Sequence, residues 1–462
     1  MSAISASAPG KVLICGGYLV VEAPNVGLSI GVNARFKTAV QSSALQAEAG
    51  ALTVKVASPQ FGANFAFNVT VNAEDGTVAV AQTEGRETPF LYCGVLVTSA
   101  FLQSCGGLPS GEVSLVLLAD NDFYSQRNYL ESKGEKVSAA TLRTVPAHNP
   151  LVGDVSKTGL GSSAALTTSL VACVATALAR ASGSDAAIAA VKETETLHRL
   201  AQAAHSIAQG KIGSGFDVFT AVYGTSVYVR FPPSAVDTLM SGSVPTSLSA
   251  AAVRDCVDLA KPWVPQRPVV VPGLPPGVKL LLADIHQGGS STPGMVSKIM
   301  AWRKSVASEP DNLWNRLAVA NQNYLSTMVE LHAAAAADRA DYDAALALLA
   351  GTPCDGWDAI ESSSAAVALF RKMRDAALLS RGMLREVGQL AGVEVEPATL
   401  TPLLDATRAV PGVIATGCPG AGGYDAVFAL VLGDAATTAV EQMWESYSGL
   451  EVCPLLVRED AQ

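Results

Sequence analysis

The sequence predicts an α+β protein in which helices pack against antiparallel sheets. Three observations lead to this class. Short strand-like runs separated by turns fill most of the first part of the chain. Long Ala- and Leu-rich runs with helical spacing follow them. In the C-terminal part, strand-like runs flank a group of helical segments, which is typical of an antiparallel sheet with helices on one face.

The N-terminal part begins with strands. Strands are predicted at 12–20, 28–40, 51–56, 66–71, 77–81 and 113–118. A helix at 89–105 ends at a pair of glycines. Residues 121–150 are polar and predict a long ordered loop, which is uncommon unless functional. Two helices are predicted at 163–181 and 184–208. A helical turn followed by a strand is predicted within 216–230.

The C-terminal part follows a proline-rich stretch. Residues 232–277 hold nine prolines and little regular pattern, so we predict a linker there between domains at 1–231 and 278–462. The predicted strands of the second domain are 278–284, 413–415, 426–432 and 451–456. Its predicted helices are 292–309, 312–335, 339–350, 358–388 and 434–447.

Composition limits the classes of function. The chain has 462 residues, of which 49% are hydrophobic, enough for two or three domains with ample core. The net charge of −10 argues against a nucleic-acid binder, so we expect no nucleic-acid partner. An anionic ligand must then be bound by a local cluster of cations.

Cysteine spacing and targeting signals indicate an intracellular protein. The eight cysteines form no Cys-x-x-Cys pair, so reduced thiols are expected and a structural zinc site is not. Residues 1–11 lack the apolar core of a signal peptide. The apolar run 164–181 carries polar residues and predicts a buried helix rather than a membrane span. We expect a soluble, cytoplasmic protein, with a peroxisome-like organelle left open although the chain does not end in Ser-Lys-Leu.

The most informative motif is the glycine- and serine-rich segment 157–165, Lys-Thr-Gly-Leu-Gly-Ser-Ser-Ala-Ala, directly before a predicted helix. A glycine turn exposes backbone N–H groups, and a helix N-terminus adds unpaired donors and partial positive charge. Both favour binding of a phosphate, and either serine hydroxyl can reach a phosphate-bound Mg²⁺. A serine cap on a core helix explains the same residues. The common nucleotide-binding fingerprints do not match.

Four other glycine- or serine-rich turns contain charged or hydroxyl side chains that could bind a ligand or take part in catalysis. They are the turn 7–11 with Lys11, the turn 211–217 with Asp217, the Gly-Gly-Ser-Ser-Thr-Pro run 288–293 and the turn 417–425. An exposed lysine after a bend explains the first turn equally well, and a helix cap or a tight hairpin explains the others. So many glycine- and serine-rich turns, several of them beside a lysine, are more than the packing of a fold requires. Together they favour a protein that binds or transfers phosphate groups.

Three motifs resemble the GHMP kinase superfamily of small-molecule kinases in order and spacing: Pro9-Gly10-Lys11, Gly159-Leu160-Gly161-Ser162-Ser163-Ala164-Ala165 and 417–423. The resemblance implies a ribosomal-protein-S5-like N-terminal domain, a ferredoxin-like C-terminal domain and an active site between them. Gly16-Gly17-Tyr18, the segment 211–218 after a helix with His198, Gln202 and His205, and the segment 288–293 resemble the phosphomevalonate kinase family of fungi and plants.

That resemblance implies transfer of the ATP γ-phosphoryl group to 5-phosphomevalonate with Mg²⁺, in isoprenoid and sterol synthesis. It implies catalytic roles for Lys11 and Asp217 and a metal role for Ser162 or Ser163. The expected ATP-phosphate residues are Lys157, Gly159, Leu160, Gly161, Ser162, Ser163 and Ala164. The expected substrate residues are Gly17, Tyr18, Arg127, Lys211, Ser214, Ser290, Ser291, Thr292, Gly420 and Gly422.

One departure weakens the metal assignment. Mevalonate kinases carry a glutamate metal ligand on the helix before the catalytic aspartate, whereas residues 202–215 contain no carboxylate. Glu193 and Glu195 lie upstream and are expected to face solvent. The alternatives left open are mevalonate kinase or another GHMP kinase and, more remotely, a non-catalytic ligand sensor. The sequence leaves open a monomer or a homodimer.

Overall fold

The structure is a computed structural model that describes residues 3–48, 50–151, 153, 156–263, 273–285, 292–308 and 312–460. Within this part of the chain it contains an eight-stranded and a four-stranded sheet. The α+β class predicted from the sequence is confirmed.

The larger sheet has the strand order β1-β2-β6-β3-β4-β5-β8, and β7 pairs with β2. All of its pairings are antiparallel except that of β3 with β6. The strands are β1 Ser5–Cys15, β2 Val26–Ser43, β3 Leu52–Ser58, β4 Ala63–Val71, β5 Thr77–Glu84, β6 Gly111–Ala119, β7 Ser226–Val229 and β8 Ser247–Ser249.

Helices from the same part of the chain pack against this sheet. They are α1 Pro89–Ser104, α2 Arg127–Ser132, α3 Ala139–Leu142, α4 Ser162–Ser182, α5 Asp185–Ala190, α6 Thr194–Gln209, α7 Phe216–Tyr223, α8 Ser234–Asp237 and α9 Ala250–Cys256. The core between sheet and helices includes the fully buried Phe36, Leu96, Leu170 and Leu200. Each such side chain stabilises the fold by about 2 kcal/mol through its removal from water.

Helix α4 is the central helix of this layer. Its Ala- and Leu-rich sequence favours a helix. It begins after Gly161 and ends before Gly183, and both glycines have positive φ, 74° and 68°. By length and composition it is the one helix of the described chain able to cross a bilayer, yet 78% of its apolar window is buried inside the protein. This burial agrees with the prediction of a core helix.

The smaller sheet has the antiparallel order β10-β11-β9-β12. Its strands are β9 Val278–Ile285, β10 Val413–Gly417, β11 Ala426–Leu432 and β12 Val452–Pro454. The helices of this part are α10 Thr292–Ser305, α11 Leu313–Ala337, α12 Arg339–Ala350, α13 Ala365–Ala391, α14 Thr401–Arg408 and α15 Gly433–Ser446. Leu281, Val427 and Trp444 lie in the apolar core that joins the sheet to α14 and α15.

Some elements differ from the prediction. The single helix expected at 184–208 is divided into α5 and α6 by a break at 191–193. Residues 191–193 contain no glycine or proline that would predict this break. The loop expected at 121–150 contains α2 and α3, and α14 was not predicted. Short helices of this kind depend on tertiary packing more than on local pattern.

The two parts of the chain are in contact. The C-terminal segment returns to the large sheet, where the backbone N–H of Asn33 donates to the carbonyl of Arg458 and that of Asp460 donates to the carbonyl of Gly31. The predicted linker includes β8, which pairs with β5. Residues of β1, the turn before α4, the start of α7 and the turn 417–423 line one cavity.

Candidate active site

Lys11 lies on β1 against the glycine turn that precedes α4. Its ammonium donates a 2.8 Å hydrogen bond to the carbonyl oxygen of Gly159, and its backbone N–H donates to the carbonyl of Leu160 at 2.9 Å. A Cβ atom at Gly161 would lie 3.0 Å from Cγ of Lys11. The absence of a side chain at Gly161 therefore allows the lysine stem to pack on the turn.

The electrostatic surroundings of Lys11 combine burial with one carboxylate. Burial lowers the pKa of Lys11, and attraction to Asp217 opposes that shift. The ammonium also lies 5.5 Å from the centre of the Phe216 ring, close enough for a cation–π contact. A cation in this position attracts anions strongly because few waters screen it.

The two serines at the start of α4 have different partners. Ser162 is buried near the Tyr124 hydroxyl, and it opposes the rise in the pKa of Tyr124 that burial causes. Ser163 is half-buried, and its Oγ lies 3.1 Å from Nε2 of His205 on α6. The first turn of a helix also presents backbone N–H groups without helical partners. This end of α4 is therefore suited to bind an anion, as the sequence predicts.

Asp217 is the second residue of α7. Its Oδ1 accepts a 3.0 Å hydrogen bond from the backbone N–H of Val218, and its Oδ2 lies 3.9 Å from Nε2 of His205. Gly215 immediately before the helix has φ of +89°, and a Cβ atom there would lie 2.5 Å from the Phe231 ring. Glycine at 215 is thus required for the turn that precedes Asp217.

His205 joins the phosphate loop to the Asp217 helix and was not predicted as a site residue. Burial lowers its pKa despite the nearby carboxylate of Asp217, so the imidazole is neutral near pH 7. Its ring packs 5.4 Å from that of Phe90. In the sequence, His205 stands on the predicted helix before Asp217. That position was used only as part of the family resemblance.

The turn 417–423 packs directly on the Gly-Gly-Tyr segment that follows β1. A Cβ atom at Gly17 would lie 2.6 Å from the carbonyl oxygen of Gly420, and the N–H of Gly420 donates to the carbonyl of Leu13 at 2.9 Å. The buried Tyr18 hydroxyl donates to the carbonyl of Ala421. These glycines therefore permit close contact between the N- and C-terminal parts at the floor of the cleft.

Gly422 lies in the same turn, with φ of +73°. A Cβ atom there would lie 2.0 Å from the carbonyl oxygen of Val395, so no other residue fits. The N–H of Gly423 donates to that same carbonyl at 2.9 Å. The segment around Val395 thus supports the turn from behind.

A cavity of about 220 Å³ joins these features. Half of the residues that line it come from β1, the phosphate loop and the turn 417–423. Of the residues predicted from the sequence, it is lined by Lys11, Tyr18, Gly159, Leu160, Ser214, Gly420 and Gly422. Asp425, whose pKa is raised by burial, also lines it and was not predicted.

Several predicted cations lie elsewhere. Arg127 is paired with Glu451 and with Glu131, and it lines a neighbouring cavity of about 390 Å³ that shares Thr158 and Leu455 with the first. Lys157 is the first residue of the segment 157–165, and Lys211 is the first residue of the turn 211–217. Both lysines are exposed.

The Gly-Gly-Ser-Ser-Thr-Pro segment falls mostly outside the described chain. Ser290 and Ser291 lie outside the described residues. Thr292 is the first residue of α10, and its side chain is likewise not described. The roles of these three residues remain predictions.

The oxygen donors at this site fit Mg²⁺. Within the described residues, no group of three or more His, Cys, Asp or Glu side chains forms a metal cluster. Mg²⁺ requires few protein oxygens because waters and phosphates complete its coordination. The hydroxyls of Ser162 and Ser163 and the carboxylate of Asp217 are such oxygens. Glu193 and Glu195 are exposed, as predicted.

Comparison with known proteins places this fold and site in a class. Residues 131–225 match the model of the GHMP kinases N terminal domain. The structure resembles that of Streptococcus pneumoniae phosphomevalonate kinase in complex with phosphomevalonate and AMPPNP, with a TM-score of 0.59, 14% identity and 99% of each chain covered. It also resembles the Lin0012 protein of Listeria innocua, with a TM-score of 0.63, 17% identity and 99% and 98% covered. The fold and the motifs at the cleft define a GHMP kinase.

Curated relatives narrow this class. The peroxisomal phosphomevalonate kinase of Arabidopsis thaliana is 33% identical, over 99% of this chain and 95% of its own. The phosphomevalonate kinases of Gibberella zeae and Candida albicans are 32% and 30% identical, over 99% and 92% of this chain and 95% and 89% of theirs. The chain belongs to the phosphomevalonate kinase family, whose members are phosphotransferases. The family and fold predicted from the sequence are confirmed.

Proposed function

We propose that this protein transfers the γ-phosphoryl group of ATP to 5-phosphomevalonate, giving 5-diphosphomevalonate and ADP in the mevalonate pathway of isoprenoid and sterol synthesis. The observation that carries the proposal is one cavity lined by Lys11, the glycine turn before α4 and the first residue of α7, in a chain of the phosphomevalonate kinase family.

The first task of the site is to neutralise charge. Phosphoryl transfer depends on positioning and electrostatic stabilisation more than on covalent chemistry, and here both reactants are polyanions. The ammonium of Lys11 is fixed by Gly159 and attracted by Asp217, so it enters the reaction already positioned. Its interaction strengthens as charge develops on the transferred group, and it therefore acts on the transition state.

The second task concerns the acceptor oxygen. A phosphate monoester has a second pKa near 6 and is mostly a dianion at pH 7. Its oxygen needs little help from a base. We infer that Asp217 orients Lys11 and the acceptor rather than removing a proton. The backbone hydrogen bond from Val218 and the short glycine turn before α7 support that orienting role.

Mg²⁺ is the expected cofactor. Ser163, Ser162 and Asp217 are the residues proposed to hold it, directly or through water. When bound, the ion would supply positive charge that reduces the repulsion between the ATP phosphates and the acceptor phosphate. The contact of Ser163 with His205 helps to hold one of these oxygen donors in place.

The remaining predicted residues are proposed to bind the acceptor or to assist at the phosphate groups. On the proposed acceptor side, Tyr18, Gly420 and Gly422 line the cavity, and Gly17 packs against the carbonyl oxygen of Gly420. Ser214 lies beside them. The other residues proposed to assist are Lys157, Lys211, Arg127, Ser290, Ser291 and Thr292.

We propose that the protein acts inside the cell, in the cytoplasm or a peroxisome-like organelle, and needs no nucleic-acid or membrane partner. The name of the Arabidopsis relative, which calls it peroxisomal, supports the second location. A monomer and a homodimer are both compatible with the proposed reaction, because Lys11 and Asp217 belong to one chain.

A coupled assay of ADP release tests the reaction. Purified protein with MgATP is offered 5-phosphomevalonate, mevalonate or no acceptor. We expect turnover with 5-phosphomevalonate and only background release in the other two reactions. Turnover with mevalonate but not with its phosphate would instead identify a mevalonate kinase.

A further inference from the structure

Three consecutive carbonyl groups in the turn before α7 accept hydrogen bonds from the same side. Arg230, the residue after β7, donates from Nη2 to the carbonyl oxygens of Gly213 and Ile212 at 3.0 and 3.4 Å. The hydroxyl of Tyr228, on β7 itself, donates to the carbonyl oxygen of Ser214. All three carbonyls of this turn are therefore directed toward the end of β7.

Arg230 also joins this turn to the segment that follows β1. Its Nη1 donates to the carbonyl oxygen of Val21, a residue that lines the active-site cavity. Ser214 lines the same cavity, whereas Arg230 and Tyr228 do not. The guanidinium therefore contacts two walls of the cavity from behind.

The direction of the three carbonyls determines the direction of the neighbouring N–H groups. In a trans peptide the N–H points opposite to the C=O of the same unit, so the N–H groups of residues 213–215 point away from the two donors. Within the described part of the chain, these three N–H groups donate to no protein acceptor. Consecutive free N–H groups in a turn attract an anion, whereas carbonyl oxygens in their place would repel a polyanionic acceptor.

We propose that Arg230 is a positioning residue for phosphoryl transfer, which holds the turn before α7 with its carbonyls away from the acceptor. Through this turn it also sets the position of Asp217 at the start of α7. Its effect falls on the acceptor rather than on the nucleotide, because the phosphate loop before α4 is held by Lys11 instead. The proposal rests on the kinase function proposed above.

Steady-state kinetics of Arg230→Met in the full chain test this role. Methionine fills the space of the side-chain stem but has no N–H donors. We expect kcat/KM for 5-phosphomevalonate to fall about 100-fold, as when a change away from the chemistry misplaces a reactant by about 1 Å. Binding of MgADP, measured by isothermal titration calorimetry, should stay as in the wild type.

Arg371→Met is the matched control. Arg371 on α13 is half-buried like Arg230, and it too donates to backbone carbonyls, those of Trp357 and Ile360. It does not line the active-site cavity. We expect both variants to lose stability in urea unfolding, since each leaves carbonyls without their donors. Only Arg230→Met should lose kcat/KM for the acceptor.

Tyr228→Phe keeps the test valid if Arg230→Met does not fold. Phenylalanine retains the buried ring and removes only the hydrogen bond to the carbonyl of Ser214. We expect kcat/KM for 5-phosphomevalonate to fall roughly 10-fold, the effect of one lost hydrogen bond that leaves a carbonyl free to turn. Binding of MgADP should again stay as in the wild type.

Three results would overturn the proposal. These are an unchanged kcat/KM for the acceptor in Arg230→Met or Tyr228→Phe, an equal loss in Arg371→Met, or MgADP binding that weakens as much as kcat/KM for the acceptor falls. In each case the wild type would still turn over 5-phosphomevalonate, so the proposed function would stand. A wild type that is inactive toward 5-phosphomevalonate would overturn both.

Discussion

The ammonium of Lys11 and the carbonyl of Gly159 are joined by a 2.8 Å hydrogen bond, so the proposed catalytic cation and the phosphate loop hold each other in place. This contact links two segments that lie 148 residues apart in the chain. It means that a change in either segment alters the position of the other.

Replacing Lys11 with Met tests the role of its charge. Met keeps much of the apolar stem but removes the ammonium. We expect kcat to fall about 100-fold or more, as for loss of a group that stabilises developing charge. KM for ATP should change much less, because the charge that Lys11 meets grows in the transition state. A larger change in KM than in kcat, from steady-state kinetics, would show that Lys11 acts mainly in substrate binding.

Gly161→Ala tests the packing of the lysine stem on the turn. Gly161 has φ of +74°, and the new Cβ would lie 3.0 Å from Cγ of Lys11. The backbone strain alone costs about 1–2 kcal/mol. Gly183→Ala at the other end of α4 is the matched control, since its φ is 68° and a Cβ there meets open space. We expect similar losses of stability in urea unfolding, but a loss of kcat only in Gly161→Ala. Equal activity in the two variants would contradict a role for this contact.

Much of this site was predictable because it consists of local motifs. Lys11, the phosphate loop and Asp217 each stand in a glycine turn beside a predicted helix or strand. The contact of Ser163 with His205 was not predictable, because it depends on how α6 packs on α4. The pairing of Arg127 with Glu451, 324 residues away, has the same cause. Local pattern determines the turns, and tertiary packing determines which side chains meet.

Asp217→Asn distinguishes orientation from base catalysis. If the acceptor is already a dianion, the variant loses orientation of Lys11 but not a proton acceptor. We expect a lower kcat whose dependence on pH, from 6.5 to 9 roughly, has the same shape as that of the wild type. Initial rates across this range provide the measurement. A residual rate that climbs steeply with pH while the wild type stays flat would show that the acceptor must be deprotonated.

A buried ion pair supports the turn 417–423 from behind and makes stability depend on pH. Arg381 on α13 donates from Nε and Nη2 to the two oxygens of Glu396, each at 2.7 Å, and Glu396 follows the Val395 carbonyl that contacts Gly422. Burial alone would raise the pKa of Glu396, but the hydrogen bonds and charge of Arg381 outweigh it and lower the pKa. A carboxyl whose pKa is lowered by folding stabilises the folded state above its unfolded pKa, about 4.3.

Glu396→Gln should therefore be most destabilising at neutral pH. Removing the charge of Glu396 leaves Arg381 with the more exposed Asp405 as its remaining carboxylate partner, and loss of a buried pair costs roughly 3 kcal/mol. As the pH falls below about 4.3 toward the folded pKa, the wild type protonates Glu396 and loses the same contribution, so the difference between the two proteins should shrink. Urea unfolding at pH 7 and near pH 4 measures this difference, and Glu361→Gln, at an exposed position, serves as the control. A difference that is the same at both pH values would show that the pair contributes through packing and not through charge.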